Sequence, residues 1–74
     1  MAQTGPNEVT VAELAELLHE TSIHHDAYEK THAAHNWWDW YAAYLDARLA
    51  GAASPAAVDA ANRYMDDVLH VAPL

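Results

Sequence analysis

The residues best suited to chemistry lie together in one short segment of the chain, HHDAYEKTHAAHNWWDWYAAY, which spans residues 24–44. It holds four of the six histidines, all three tryptophans and three of the four tyrosines. Imidazole and carboxylate groups can ligate a metal or transfer protons, and aromatic ring faces can hold an organic cation. A core built for stability alone prefers aliphatic side chains, which need no hydrogen-bond partners. The segment therefore predicts a functional site, although each single histidine can also be explained as a hydrogen-bonded core residue.

A metal site is one interpretation of this segment. His25, Glu29 and His32 stand at positions i, i+4 and i+7, on one side of a helix. His35 follows one turn later if the helix continues that far. These nitrogen and carboxylate ligands suit a divalent metal such as zinc or iron, the one cofactor that the sequence predicts. Known helical motifs match only in part, because a zincin needs two histidines four residues apart and a di-iron bundle needs several inward-facing glutamates.

An aromatic ligand pocket is the interpretation that the composition favours. Trp37, Trp38 and Trp40 span too much of a helix circumference to face one interior, so at least one is expected at the surface or between two subunits. Exposed tryptophan beside tyrosine provides binding area at low entropic cost, and an acidic background favours a cation. The expected partner is a cationic aromatic small molecule or a basic protein. The residues assigned to this pocket are Tyr28, Trp37, Trp38, Trp40, Tyr41, Tyr44 and Arg48.

Charge and composition exclude several classes of function. Eleven acidic residues against three basic ones give a net charge of −8, which repels nucleic acid and anionic membranes. The absence of cysteine excludes disulfides, iron–sulfur clusters and thiolate zinc sites. No apolar run is long enough for a signal peptide or a membrane span, so a cytoplasmic protein is expected. No nucleophile motif or glycine-rich phosphate loop occurs, which favours binding over catalysis and leaves a small metalloenzyme or an accessory subunit as the enzymatic alternative.

The helices that would position these side chains begin at capping signals. In TVAE, the Thr10 hydroxyl and the Glu13 carboxylate form the reciprocal pattern of a capping box, which predicts the start of helix 1. NWWD repeats this pattern, with Asn36 as the cap of helix 2 and Asp39 as its third residue. The inward-facing stripe expected on helix 1 is Leu14, Leu17, Leu18 and Thr21.

The end of helix 2 and the start of helix 3 have signals of their own. Gly51 can take the left-handed conformation that ends helix 2, and Ser54 and Pro55 supply a cap and a first-turn proline for helix 3. The inward residues expected on helix 3 are Val58, Ala61, Met65, Val68 and Leu69, with Ala57 and Tyr64 at the margin. Together these signals predict an all-α three-helix bundle. Its helices are expected over about residues 10–31, 37–50 and 55–69. They form one helical domain over 10–70, with a flexible arm over 1–9 before it and a C-terminal tail over 71–74 after it.

The hydrophobic core of such a bundle is expected to be thin. Much of the 53% hydrophobic content is alanine, and phenylalanine is absent. A chain of 74 residues is also close to the lower limit at which one core stabilises a fold unaided. These two features predict a homodimer.

The motif YEKTHAAHNWWDWYAAYLDAR, residues 28–48, resembles a segment of short actinobacterial-type proteins, and the likeness extends over roughly residues 10–70. Proteins with this motif are labelled as members of the bleomycin-resistance or glyoxalase superfamily. The resemblance implies an acidic dimer that captures a cationic, metal-chelating glycopeptide in aromatic clefts. Members of that superfamily are paired βαβββ modules, whereas this sequence shows no strand pattern, so the superfamily's fold and metal chemistry do not transfer to it.

Overall fold

Three α-helices make up most of residues 9–74, the part of the chain that this computed structural model describes. They are α1, Val11–Glu29; α2, Trp37–Leu49; and α3, Ser54–Asp67. The predicted all-α three-helix fold is confirmed, whereas nearly all of the predicted arm over 1–9 lies outside the described residues. No helix within residues 9–74 is long and apolar enough to cross a membrane. The expected cytoplasmic location stays a prediction.

Helix α1 begins as its capping box predicts. The Glu13 backbone N–H donates to the Thr10 hydroxyl at 3.1 Å, and the Thr10 N–H donates to the Glu13 carboxylate at 2.9 Å. Helix α2 also begins where predicted, directly after Asn36, but the predicted side-chain cap is wrong. The Asp39 N–H that this side chain would have bound donates instead to the Asn36 backbone carbonyl at 3.2 Å.

The turn between α2 and α3 depends on one glycine. Gly51 has a φ of +106°, and the N–H groups of residues 51 and 52 donate at 3.0 Å to the carbonyls of Arg48 and Ala47. This is the Schellman arrangement, and the predicted left-handed end of α2 is confirmed. The predicted cap of α3 is wrong, because Ala53 is the cap and Ser54 is the first helical residue. The Ser54 hydroxyl instead points into the bundle, where it bonds to side chains of α1 and α2.

Helix α1 ends at Glu29, earlier than the predicted end near residue 31. The Tyr28 carbonyl, which would accept the His32 N–H in a longer helix, instead accepts the Thr31 N–H and the His32 ring, both at 3.1 Å. The C-terminal tail then pairs with the connection between α1 and α2, residues 30–36. The Ala33 N–H donates to the backbone carbonyl of residue 72 at 2.8 Å, and the Leu74 N–H donates to that of residue 31 at 2.9 Å. His32 and His35 therefore lie outside α1, and the predicted helical spacing does not apply to them.

The core forms where the second half of α1 packs against α2 and α3. Its buried hydrophobic side chains are Tyr28, Trp40, Tyr44, Ala57, Ala61 and Met65, with Thr21 and His25 as buried polar neighbours. The predicted stripe of α1 is correct for Leu17 and Thr21 only. Residues 11–16, including Leu14, are exposed, and so is Leu18, and both leucines keep 41% of their surface accessible. Val68 and Leu69 are also exposed, contrary to prediction, because α3 ends at Asp67 and they lose its helical phase.

Candidate functional site

Imidazole and aromatic rings converge where the end of α1, the connection after it and the start of α2 meet. His25 is buried at the centre, with ring centroids 5.1 Å from His35, 5.6 Å from Trp40 and 5.4 Å from Tyr41. Helix α1 supplies His25, α2 supplies the two aromatic rings, and the tail-anchored connection supplies His35. Side chains from different parts of the segment 24–44 thus meet in one cluster.

His25 and His35 share a hydrogen bond whose direction can be assigned. Their Nε2 atoms are 2.9 Å apart, and His35 Nδ1 lies 2.8 Å from the Ala33 carbonyl, which can only accept. His35 therefore carries its proton on Nδ1, and in the neutral pair His25 Nε2–H donates to His35 Nε2. Burial lowers the pKa of His25, and nearby His35 lowers it further, while the carboxylates of Glu29 and Asp26 oppose this effect. The net effect lowers the pKa of His25 and so favours the neutral form of the ring at the centre of the cluster.

The four predicted metal ligands do not come together as one set. His25 and His35 meet through their Nε2 atoms, but the His32 ring stacks on Tyr28 with centroids 3.8 Å apart, and its Nδ1 faces the Tyr28 carbonyl. Glu29 is exposed on the outer wall of the cluster. Within residues 9–74, no group of three or more histidine, aspartate or glutamate side chains is arranged to hold a metal ion. The metal site stays a prediction that rests on two converging imidazoles.

An open cleft of about 480 Å³ lies beside the cluster, between α1 and α2. Its walls are formed by Leu18, His25, Glu29, Trp37 and Tyr41. The indole of Trp37 is 53% exposed and meets the Tyr41 ring edge to face, with centroids 4.9 Å apart. In the described part of the chain Glu29 forms no salt bridge, because the two ion pairs there join other residues. The cleft therefore combines an accessible aromatic corner with an unpaired carboxylate.

The other residues predicted for the ligand pocket lie elsewhere. Tyr28, Trp40 and Tyr44 are buried in the core and do not line the cleft, although Tyr28 and Trp40 lie against His25 in its wall. The Trp40 Nε1–H donates to the Asn62 side chain at 3.0 Å, which ties α2 to α3. Trp38 is as exposed as Trp37 but is not among the residues of the cleft. Of the seven predicted pocket residues, Trp37 and Tyr41 line it.

Arg48, also predicted for the pocket, belongs to a polar network that the sequence analysis missed. Its guanidinium donates to both carboxylate oxygens of Glu20, at 2.8 and 3.3 Å, and to the Ala52 carbonyl at 3.0 Å. This pairing lowers the pKa of Glu20, and a hydrogen bond from the Tyr44 hydroxyl lowers it further. Glu20 is therefore a carboxylate at neutral pH, and Arg48 is not free to bind a ligand.

The network continues from Tyr44 through all three helices. Because Tyr44 gives its one proton to Glu20, Ser54 must donate to Tyr44 at 3.1 Å, and the His24 Nε2–H must donate to Ser54 at 2.9 Å. The bonds thus run from α1 through α3 and α2 back to α1. The sequence holds a signal for this network. Glu20 and His24 are four residues apart on α1, and Tyr44 and Arg48 are four apart on α2, so each pair lies on one helix face.

Comparison with protein-family models, with curated proteins and with solved structures gave no match. The resemblance of residues 28–48 to the bleomycin-resistance and glyoxalase superfamily therefore stays a prediction.

Proposed function

We propose that this protein binds a cationic aromatic small molecule in the cleft between α1 and α2. A glycopeptide antibiotic of the bleomycin type is the specific candidate, on the strength of the motif at residues 28–48. The observation that supports the proposal is the exposed Trp37 ring, which lies beside Tyr41 and shares the cleft with the unpaired carboxylate of Glu29.

The physical basis is the attraction of a cation to ring faces and to negative charge. A cation over an indole or phenol face gains about 0.5–1 kcal/mol when exposed and about 2 kcal/mol when desolvated. Glu29 adds a direct charge interaction, and the net charge of −8 raises the local concentration of cations around the protein. The cleft volume of about 480 Å³ is within the range of small-molecule sites. Because the cleft is open, the ligand is only partly buried, and modest affinity is expected.

A fluorescence titration tests this proposal with a matched pair of variants. Binding of a cationic aromatic probe such as bleomycin should change the emission of Trp37 in the wild type and weaken as salt rises, because salt screens exposed charges. The affinities of the variants are compared by titration calorimetry, which does not depend on the tryptophan that is replaced. Trp37→Ala should weaken binding strongly, whereas Trp38→Ala should weaken it much less, because the Trp38 ring packs edge to face on Trp37 but does not line the cleft. Both indoles are 53% exposed. Glu29→Gln should weaken binding, whereas Glu16→Gln, which removes the same charge outside the cleft, should have little effect. Equal effects of the two tryptophan variants would reject the cleft as the site.

A divalent metal held by His25 and His35 is the second candidate function. Two observations favour it: the Nε2 atoms converge to 2.9 Å, and His35 Nδ1–H is held by a backbone carbonyl, as is usual for histidines that bind metals. Two imidazoles leave coordination positions for solvent or for donor atoms of a bound molecule. Zinc should then raise the thermal midpoint of the wild type, and chelator should reverse this rise. His35→Ala should abolish the effect and His32→Ala should retain it, because the His32 ring faces Tyr28. If zinc leaves the wild-type midpoint unchanged, the two histidines are a hydrogen-bonded core pair.

The proposal also includes a homodimer. Six hydrophobic side chains are buried among the described residues, and two of them are alanines. A core of this size gives a monomer of modest stability, to which self-association would add buried apolar surface.

A further inference from the structure

We infer that two copies of this chain pair through the outer face of α2, helix against helix in antiparallel orientation. The surface is a row of four side chains, called here the outer strip: Trp38, Ala42, Leu45 and Leu49. This inference rests on the homodimer proposed above. The strip shares no residue with the ligand cleft, although Trp38 of the strip packs edge to face on Trp37 of the cleft.

The outer strip has the spacing of a helix-pairing seam. Its members are separated by four, three and four residues, the repeat that places one side chain after another along the contact between two helices. At about 100° per residue they fall within an arc of about 60°. Trp38 is 53% and Leu49 is 54% exposed, Ala42 is exposed and Leu45 is partly buried. Because α2 already buries Trp40 and Tyr44 on its inner face, it is apolar on two opposite faces, which is typical of a helix with neighbours on both sides.

The distribution of charge makes the outer strip a favourable place for two copies to meet. Each chain carries a net charge of −8, so two copies repel through most of their surfaces. The outer strip has no charged member. The acidic residues of α2, Asp39 and Asp46, line the neighbouring groove between α2 and α3, which borders the strip at Ala42. Approach through the strip therefore brings together apolar side chains and keeps the carboxylates at its margin.

The sizes of the four side chains favour antiparallel pairing. A two-fold axis at the middle of the strip, between residues 43 and 44, places Trp38 against Leu49 of the partner subunit and Ala42 against Leu45 of the partner subunit. Each layer then combines a larger with a smaller side chain, so the two helices stay evenly spaced. Parallel pairing would oppose tryptophan to tryptophan and alanine to alanine, which gives layers of unequal width. The same axis also lies near the centre of α2, Trp37–Leu49, so both helices overlap over their full length.

The area of the strip predicts a weak dimer. A helix of 13 residues is about 20 Å long, so a strip one helix wide offers roughly 200–400 Å², against about 800 Å² per partner in a standard interface. The dimer is therefore expected to dissociate in the micromolar range or above. Its association should strengthen as salt rises, the opposite of the salt effect on cation binding.

Sedimentation of the full chain tests the surface with matched variants. Wild-type protein between about 5 and 500 µM should pass from monomer to dimer. Leu49→Glu should lower the association constant by about tenfold or more, because it places a carboxylate in an apolar seam. Ile23→Glu is the control, since this α1 residue is 59% exposed and the change in charge is identical. Circular dichroism of both variants verifies that they fold.

Cross-linking tests the orientation, and the natural absence of cysteine makes an introduced thiol unique. In the antiparallel pair, the two copies of Ala42→Cys lie about 10 Å apart and the two copies of Trp38→Cys about 19 Å apart. A short bis-maleimide of about 8 Å should link the flexible thiols of the first variant efficiently and those of the second poorly. Equal linking of both variants would show parallel pairing and overturn the orientation.

Other possible results distinguish failure of this interface from failure of the homodimer proposal on which it rests. If the dimer persists in Leu49→Glu but is lost in Val11→Glu, the interface lies on the exposed half of α1. That result would overturn the inference but not the homodimer. A monomer at every concentration would overturn both. Neither result affects the ligand proposal, because the Trp37 titration is read in the cleft of a single chain.

Discussion

Replacing Tyr44 with phenylalanine should reduce the free energy of unfolding by about 2 kcal/mol. The buried Tyr44 hydroxyl donates to the Glu20 carboxylate and accepts from Ser54. A hydrogen bond to a charged group contributes about 1.5–3 kcal/mol and a neutral one about 0.5–1.5 kcal/mol. The expected loss stays below the sum of the two because the Glu20 side chain is 31% exposed and keeps Arg48, while Ser54 keeps its bond to His24.

A loss of this size is large for such a small protein. Stabilities of about 0.05–0.15 kcal/mol per residue give a total of roughly 4–11 kcal/mol for a chain of 74 residues. A change of about 2 kcal/mol should lower the thermal midpoint by roughly 8–16 °C. Urea unfolding followed by far-UV circular dichroism at low micromolar concentration measures the change with little contribution from self-association.

The control for this prediction is Tyr64→Phe. Tyr64 is partly exposed, and its hydroxyl has no hydrogen bond within residues 9–74, so the change should stay within about 0.5 kcal/mol. A double-mutant cycle with Glu20→Gln should show that the Tyr44 and Glu20 changes are coupled, because the two side chains share a bond. If Tyr44→Phe costs no more than Tyr64→Phe, or if the two changes are additive, the network does not stabilise the bundle and the reasoning fails.

Three further predictions concern pH and the turn after α2. Because burial lowers the pKa of His25 below its ordinary value of 6.5, the unfolded chain takes up the proton first and stability should fall as the pH drops below about 6.5. Urea midpoints at successive pH values should show a smaller fall in His25→Gln. The pKa of Glu20 is also lowered, by Arg48 and then by Tyr44, so its stabilising contribution is present above about pH 4.5 and is lost on acidification below it. Glu20→Gln should flatten that second decline, and an unchanged curve would contradict the pairing. Gly51→Ala should cost about 1 kcal/mol because alanine is strained at a φ of +106°, and Gly51→Asn should cost less in the same urea assay.

The sequence alone determined those features that depend on residues close together in the chain. The capping box of Thr10 and Glu13 and the left-handed turn at Gly51 involve residues no more than five apart, and both are present as predicted. Cap and turn signals, together with the spacing of apolar side chains, predicted three helices and the burial of Ala61 and Met65 on α3. The histidine and aromatic content of residues 24–44 also located the candidate site, and rings from this segment do cluster in the structure.

Only the tertiary structure decided which of these side chains meet and which of them remain accessible. The position of His35 depends on pairing of its connection with the C-terminal tail, about 40 residues away, so helical periodicity could not predict its contact with His25. Arg48 was assigned to a ligand pocket, but it pairs with Glu20, 28 residues earlier in the chain. Trp37 and Trp40 are the same residue type and lie three residues apart, yet Trp37 lines the open cleft and Trp40 is fully buried. Burial and pairing of this kind depend on how helices pack across distant parts of the chain, whereas caps and turns depend on their immediate neighbours.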